Sequence, residues 1–189
     1  MTEFTHIMEY GNALVILFDD GSKEIAYPSM GGFWFVKNDF GTWVWPLSVP
    51  PWNFGDGYGP RINPVTGLPS FHYGIDINGA GITGEDILAA SNGIVRAINT
   101  SISHSYGVYV HIEHDDGSGT FYAHMVSGSI TVNIGDSVIA GQKLGEVGDT
   151  GLVTGPHLHF NTQENFSFSM NANTIDPIDF MLERNAVML

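Results

Sequence analysis

The chain has 189 residues, 43% hydrophobic and 12% aromatic, which is enough apolar material for one core-forming domain plus a small appendage and too much for wholesale disorder. Twenty acidic residues against six basic ones give a formal net charge of -14, spread along the chain, which argues against nucleic-acid binding through clustered lysine and arginine. There is no cysteine, so disulfides, thiolate zinc sites and thiol catalysis are excluded, and any metal must be held by histidine and carboxylate.

The 24 glycines fall between short apolar runs, a pattern that predicts an all-β fold built on antiparallel sheet, either a single sheet or a β-sandwich. The N-terminus "MTEFTHIMEYGN" lacks a basic stretch followed by an apolar run and so reads without a secretory signal. No apolar run approaches the ~18 residues that span a bilayer, so no transmembrane segment is expected and the chain reads as soluble.

Residues 1–40 read as a small N-terminal β module. "ALVILFDDGSKEIAYPS" is two strand-like runs around a turn at Asp20-Gly21-Ser22, and "FWFVK" follows a Gly31-Gly32 turn. From Gly41 to Ile62 the Pro-, Trp- and Gly-rich text reads as a structured loop, with a boundary near residues 38–45 and a main domain over 41–189. "HSYGVYVHIEHDDGSGTFYAHM" is a hairpin turning at Asp115–Gly119, and "ITVNIGDSVIAGQKLGEVG" adds short strands turning at Gly135-Asp136 and Gly141-Gln142. "DPIDFMLERN" reads as the one short helix, opened by Asp176-Pro177.

Several of these segments carry residues suited to chemistry. In "TGPHLHF" a strand period of two places His157 and His159 on one face and Leu158 and Phe160 on the other; the pair is either part of a site or two polar residues facing water. In "FHYGIDI", His72 and Asp76 are both competent zinc ligands, and a bend at Gly74 brings them together; the alternative is a turn histidine and a solvated aspartate. A catalytic zinc takes three protein ligands and keeps one position open, and His72, Asp76 and one histidine of the pair make such a set. In "TFYAHM", alternation puts Thr120, Tyr122 and His124 on one face, so Tyr122 and His124 are expected to project toward the same cleft. His111 and His114 fall on opposite faces, and His6 and His104 are expected to be exposed.

The order of these motifs, "FHYGID", "YAHM" and "PHLHF", with the intervening "YGPRINPVTGLPS", "ILAASNGIV" and "VNIGDSVIAGQKLGEVGDTGLVTG", resembles the lysostaphin-type (LytM-domain) zinc metalloendopeptidases that cut peptidoglycan peptides, over about Gly57 to Gln163. The resemblance implies Zn2+ held by His72, Asp76 and His159, with His157 and His124 as the two catalytic histidines that are not ligands. Asn161 departs from the acidic residue that many relatives carry after "HLHF".

The resemblance further implies an endopeptidase acting on the stem or cross-bridge peptides of the cell wall. An extracytoplasmic substrate without a secretion signal points to a bacteriophage lysin, released through a holin or carried on the tail, and the N-terminal module is similar to short β segments of such proteins. Two alternatives stand beside it. One is a non-catalytic structural module of the wall or virion. The other is a sugar-phosphotransferase carrier-like domain, which "HYGIDINGAG" and "VNIGDSVIAGQKLG" also resemble.

Overall fold

In a computed structural model the described residues are 4–10, 13–18, 23–29 and 32–37, as strands, together with 42–47 and 53–187. The chain falls into two compact units, Met1–Gly41 and Thr42–Leu189. In the first, β1 (Phe4–Tyr10), β2 (Ala13–Phe18), β3 (Lys23–Ser29) and β4 (Gly32–Lys37) form an antiparallel meander in which each strand pairs with the next. Runs rich in β-branched and aromatic residues, punctuated by glycine, specify that order. The turn expected at Asp20-Gly21-Ser22 and the side chain of His6 lie outside the described residues.

The second unit comprises β5 (Asn53–Phe54), β6 (Gly59–Ile62), β7 (Pro69–His72), β8 (Ile75–Asn78), β9 (Asp86–Leu88), β10 (Gly93–Asn99), β11 (Val108–His114), β12 (Gly119–Met125), β13 (Ser137–Val138), β14 (Lys143–Glu146), β15 (Leu158–Gln163), β16 (Thr174–Ile175) and α1 (Pro177–Glu183). Its main antiparallel sheet runs β13-β10-β11-β12-β15-β8-β5, with β16 also paired to β15; β9 pairs with β14 and β6 with β7. Among the described residues, the expected all-β architecture built on antiparallel sheet with one short C-terminal helix is the one observed. No helix among the described residues is long and apolar enough to cross a membrane.

The strand period places the core. Ile75 and Ile77 of β8, Val108, Val110 and Ile112 of β11, Tyr122 of β12 and Leu158 and Phe160 of β15 all face one buried cluster. Phe180 and Met181 of α1 join it; Asp176 caps that helix by accepting from the Ile178 N–H at 2.9 Å, and Pro177 gives up no hydrogen bond at the first helical position. The stretch read as a loop from Gly41 to Ile62 contains two strands, β5 and β6, and its described start is core. Trp43 is fully buried, and the Val44 and Trp45 N–H groups donate to Ala90 and Val187 carbonyls. Aromatic side chains bury enough area here to recruit a Pro- and Gly-rich segment into the fold.

β15 is buried on both faces. Opposite its core side, Asn161 and Gln163 fasten the following loop. Asn161 Nδ2 donates to the Met170 carbonyl at 2.8 Å, and Gln163 Nε2 donates to the Ser169 and Ala172 carbonyls at 2.8 and 2.9 Å. The loop therefore lies along one end of the face that carries His159, and Asn171 on it accepts from the Tyr106 hydroxyl at 2.9 Å.

Candidate active site

Three strand ends deliver the site. His72 ends β7, the chain bends at Gly74, and β8 then carries Asp76 directly opposite His159 of β15. Gly74 is required for this approach: a Cβ there would run into the Phe160 carbonyl and come within 2.9 and 3.0 Å of the His159 ring atoms Cε1 and Nε2. His72 Nε2, Asp76 Oδ1 and His159 Nδ1 consequently form a triangle with edges of 2.9, 3.1 and 3.1 Å. They are the set of metal-competent side chains found among the described residues, and all three are buried within the cleft wall.

The hydrogen bonding around this triangle leaves lone pairs facing its centre. His72 Nδ1 donates to the Gly57 carbonyl at 2.9 Å, which fixes the tautomer and makes Nε2 an acceptor. Burial pushes His159 down to about 4, against the pull of Asp76, so its ring is neutral near pH 7. Burial opposes charge on Asp76, yet the adjacent His159 and His72 nitrogens hold its carboxyl well below the usual carboxylate range. His159 Nε2 is buried with no hydrogen-bond partner, its ring packed against Tyr106 at 5.2 Å between centroids. A carboxylate oxygen and two imidazole nitrogens converging this closely are a donor set suited to a cation. Tetrahedral zinc, with bonds of about 2.0–2.1 Å, sets its donors roughly 3.3 Å apart, close to the observed edges. The residues present fit the ion.

His124 and His157 flank the triangle, their rings 4.7 Å apart. Each is held through Nδ1 by a backbone carbonyl, His124 on Thr150 at 2.7 Å and His157 on Gly155 at 2.9 Å, so Nε2 is the nitrogen of each ring not tied to the backbone. His157 Nε2 lies 3.5 Å from Asp76 Oδ1. Burial, with His159 and His157 nearby, pushes His124 down to about 3, so it too is neutral. The five residues singled out in the sequence thus line one cleft of about 610 Å³, together with Arg61, Tyr73, Tyr106 and Asn171.

Two expectations are corrected. Tyr122 does not share the cleft with His124. It is fully buried in the core, its oxygen accepting from the Ala90 N–H at 2.7 Å, because His124 has φ +63 and leaves the strand alternation. His104 is half-buried and not exposed, its Nδ1 accepting from the Tyr106 N–H at 3.1 Å. His111 and His114 do part to opposite faces, toward Gln163 and toward Thr120.

Sequence reasoning passed over Arg61, whose Nη1 donates to Asp76 Oδ2 at 3.1 Å. The available signal was its rarity, one of six basic residues, placed inside the motif-bearing segment "YGPRINPVTG".

Comparison with known proteins adds an independent line. The model for Peptidase family M23 matches residues 70–177. Peptidoglycan DD-endopeptidase ShyC of Vibrio cholerae is 39% identical over 100 residues, 53% of this chain and 22% of that protein. Lysostaphin of Staphylococcus staphylolyticus is 38% identical over 132 residues, 67% of this chain and 25% of that protein. The catalytic domain of the antimicrobial peptidase lysostaphin from Staphylococcus simulans superimposes with a TM-score of 0.60 at 34% identity, covering 69% of this chain and 92% of that domain. The chain spans about a quarter of the length of the curated relatives it matches.

Proposed function

The chain belongs to peptidase family M23, and from that premise we propose that it is a zinc-dependent endopeptidase hydrolysing peptide bonds of bacterial cell-wall peptidoglycan. The observation that carries this reading is the triangle of His72 Nε2, Asp76 Oδ1 and His159 Nδ1, three lone-pair donors with edges of 2.9–3.1 Å beside two further histidines. A phosphohistidine carrier needs one accessible imidazole nucleophile and gives no reason for such a convergence.

His72, Asp76 and His159 would hold the zinc. A bound zinc supplies an acidified water and polarisation of the scissile carbonyl. The rest of the chemistry falls to side chains of this chain. The His124 and His157 rings, oriented through Nδ1 by Thr150 and Gly155, offer Nε2 to the reacting groups. Buried and neutral, His124 accepts a hydrogen bond from the attacking water and orients it. His157, on the rim of the triangle, takes up the water's proton and returns it to the leaving amine. The loop wall bearing Asn171, with Tyr106 behind it, bounds the peptide at one end of the cleft.

The N-terminal meander is read as a separate domain that docks the enzyme on the wall or on a phage tail. Lysis of whole cells by the chain lacking residues 1–40, compared with its action on purified walls, tests that role. For the activity itself, purified walls are digested by the full chain with and without chelator, and the products are identified by mass spectrometry. Zinc-restored release of peptide-cleaved muropeptides is expected. Release undiminished by chelation overturns the reading.

A further inference from the structure

We infer that Arg61 is the positioning residue of the metal site, holding Asp76 so that a single carboxylate oxygen faces His72 and His159; the inference rests on the zinc reading above. The two oxygens of Asp76 have different partners. Oδ1 lies 3.1 Å from both His72 Nε2 and His159 Nδ1, whereas Oδ2 accepts from Arg61 Nη1 at 3.1 Å. The same Nη1 also donates to Asp56 Oδ2. Asp56 in turn grips the Asp76 backbone, its carbonyl accepting the Asp76 N–H at 2.9 Å, while the Asp76 carbonyl accepts from the Gly55 N–H at 2.7 Å. The Gly55-Asp56 segment therefore holds Asp76 twice, once by its main chain and once through the guanidinium.

Arg61 also ties two ligand-bearing elements together. It sits on β6 opposite Ser70 of β7, in the hairpin that ends at His72, while Asp76 belongs to β8. The contact is not a solvated surface pair. The Asp76 and Arg61 side chains are 14% and 22% exposed, and Arg61 Nε is buried with no hydrogen-bond partner. An arginine that leaves Nε–H unpaired while Nη1 bridges two carboxylates is placed for those carboxylates, not for its own solvation.

Orientation matters because a carboxylate can present one oxygen or two. With Oδ2 released, Asp76 is free to turn about Cβ–Cγ or to offer both oxygens to the ion, filling the position that a catalytic site keeps open for water and substrate. Asp56 balances the guanidinium charge, so Arg61 can steer the ligand without a net positive charge beside the ion. Partners of this kind, one bond behind a ligand, typically change metal affinity by 10- to 100-fold when removed.

The test measures zinc dissociation constants by chelator competition, and visible absorption of the cobalt(II)-substituted protein, for wild type, Arg61→Gln, Arg61→Lys and Asn63→Ala. Asn63 caps the turn of the same hairpin, its Oδ1 accepting from the Val65 and Thr66 N–H groups at 2.9 and 3.0 Å, so its variant loosens the hairpin without touching Asp76. The expected result is a zinc affinity about 10- to 100-fold weaker in Arg61→Gln. Its cobalt spectrum is expected to move toward higher coordination, with partial recovery in Arg61→Lys and near wild-type behaviour in Asn63→Ala. Should Arg61→Gln fail to fold, Arg61→Lys alone must still show weakened binding and an altered spectrum. Unchanged affinity and spectrum in the Arg61 variants, or an equal loss in Asn63→Ala, overturns the inference while leaving the zinc reading intact. A wild type that binds no zinc overturns the reading on which it rests.

Discussion

The Thr150 carbonyl accepts from His124 Nδ1 at 2.7 Å, and the Thr150 hydroxyl anchors that residue by accepting from the Val108 N–H at 3.0 Å and donating to the Met125 carbonyl at 2.7 Å. His124 needs such support because it sits at φ +63, where a residue with a Cβ is strained. Thr150→Val keeps the shape and removes both hydroxyl bonds, at a cost of about 1–3 kcal/mol. The expected outcome is a kcat lower by roughly 10- to 100-fold with unchanged zinc affinity, since misplacing a catalytic group slows chemistry without touching the ligands. Steady-state rates beside a zinc titration check both halves.

The five site residues should divide into two classes by metal content. His72→Ala, Asp76→Ala and His159→Ala remove corners of the triangle and are expected to lose both zinc and muropeptide release. His124→Ala and His157→Ala leave the triangle whole and are expected to retain zinc while losing rate by about 10²- to 10⁴-fold. Metal analysis after dialysis, paired with product release, separates the classes. A zinc-free His157→Ala would reassign that residue as a ligand.

Much of this site was legible because its information is local. The His157/His159 pair around Leu158, the bend between His72 and Asp76, and the Asp176 cap each follow from spacing within one strand, turn or helix start. Relationships that depend on broken alternation or on distant partners were not. The positive φ of His124 reverses the facing that a period of two predicts and separates it from Tyr122. Arg61 finds Asp76 fifteen residues on, across a hairpin and a change of sheet, and no spacing rule marks that pair. Asn161 stands out in the sequence as a departure, but its role in fastening the loop at Met170 depends on a fold-back of the chain after β15.

Gly74 carries a sharp steric prediction. Alanine there places a methyl group against the Phe160 carbonyl and the His159 ring, so β8 and β15 must separate at the register that pairs Asp76 with His159. Overpacking of this kind costs about 1–3 kcal/mol, and here the relief moves two corners of the triangle apart. Gly74→Ala is expected to lower the thermal midpoint and weaken zinc binding together. Calorimetry with and without zinc reads both, and a variant that binds zinc as wild type does would show that the strands tolerate the methyl group.

Two histidines outside the cleft should contribute to acid sensitivity. Burial pushes His111 and His114 each down to about 4 from an ordinary 6.5, although Gln163 and the Asn92 carbonyl respectively favour their charged forms. His111 lies between the Phe121 and Phe166 rings and keeps Nδ1 without a partner, and His114 Nε2 lies 2.7 Å from the Thr120 hydroxyl. Their folded values are depressed, so between 6.5 and about 4 the unfolded chain binds protons that the folded chain cannot. Stability from this source is therefore complete above about pH 6.5 and is lost as the pH falls toward 4. His111→Phe keeps an aromatic ring between the two phenylalanines and removes one titrating group. Urea unfolding from pH 4 to 8 at saturating zinc should show a shallower decline for His111→Phe than for wild type, the difference between the two proteins cancelling protonation of the site histidines. Parallel declines would mean that His111 takes up its proton in the folded state as readily as in the unfolded one.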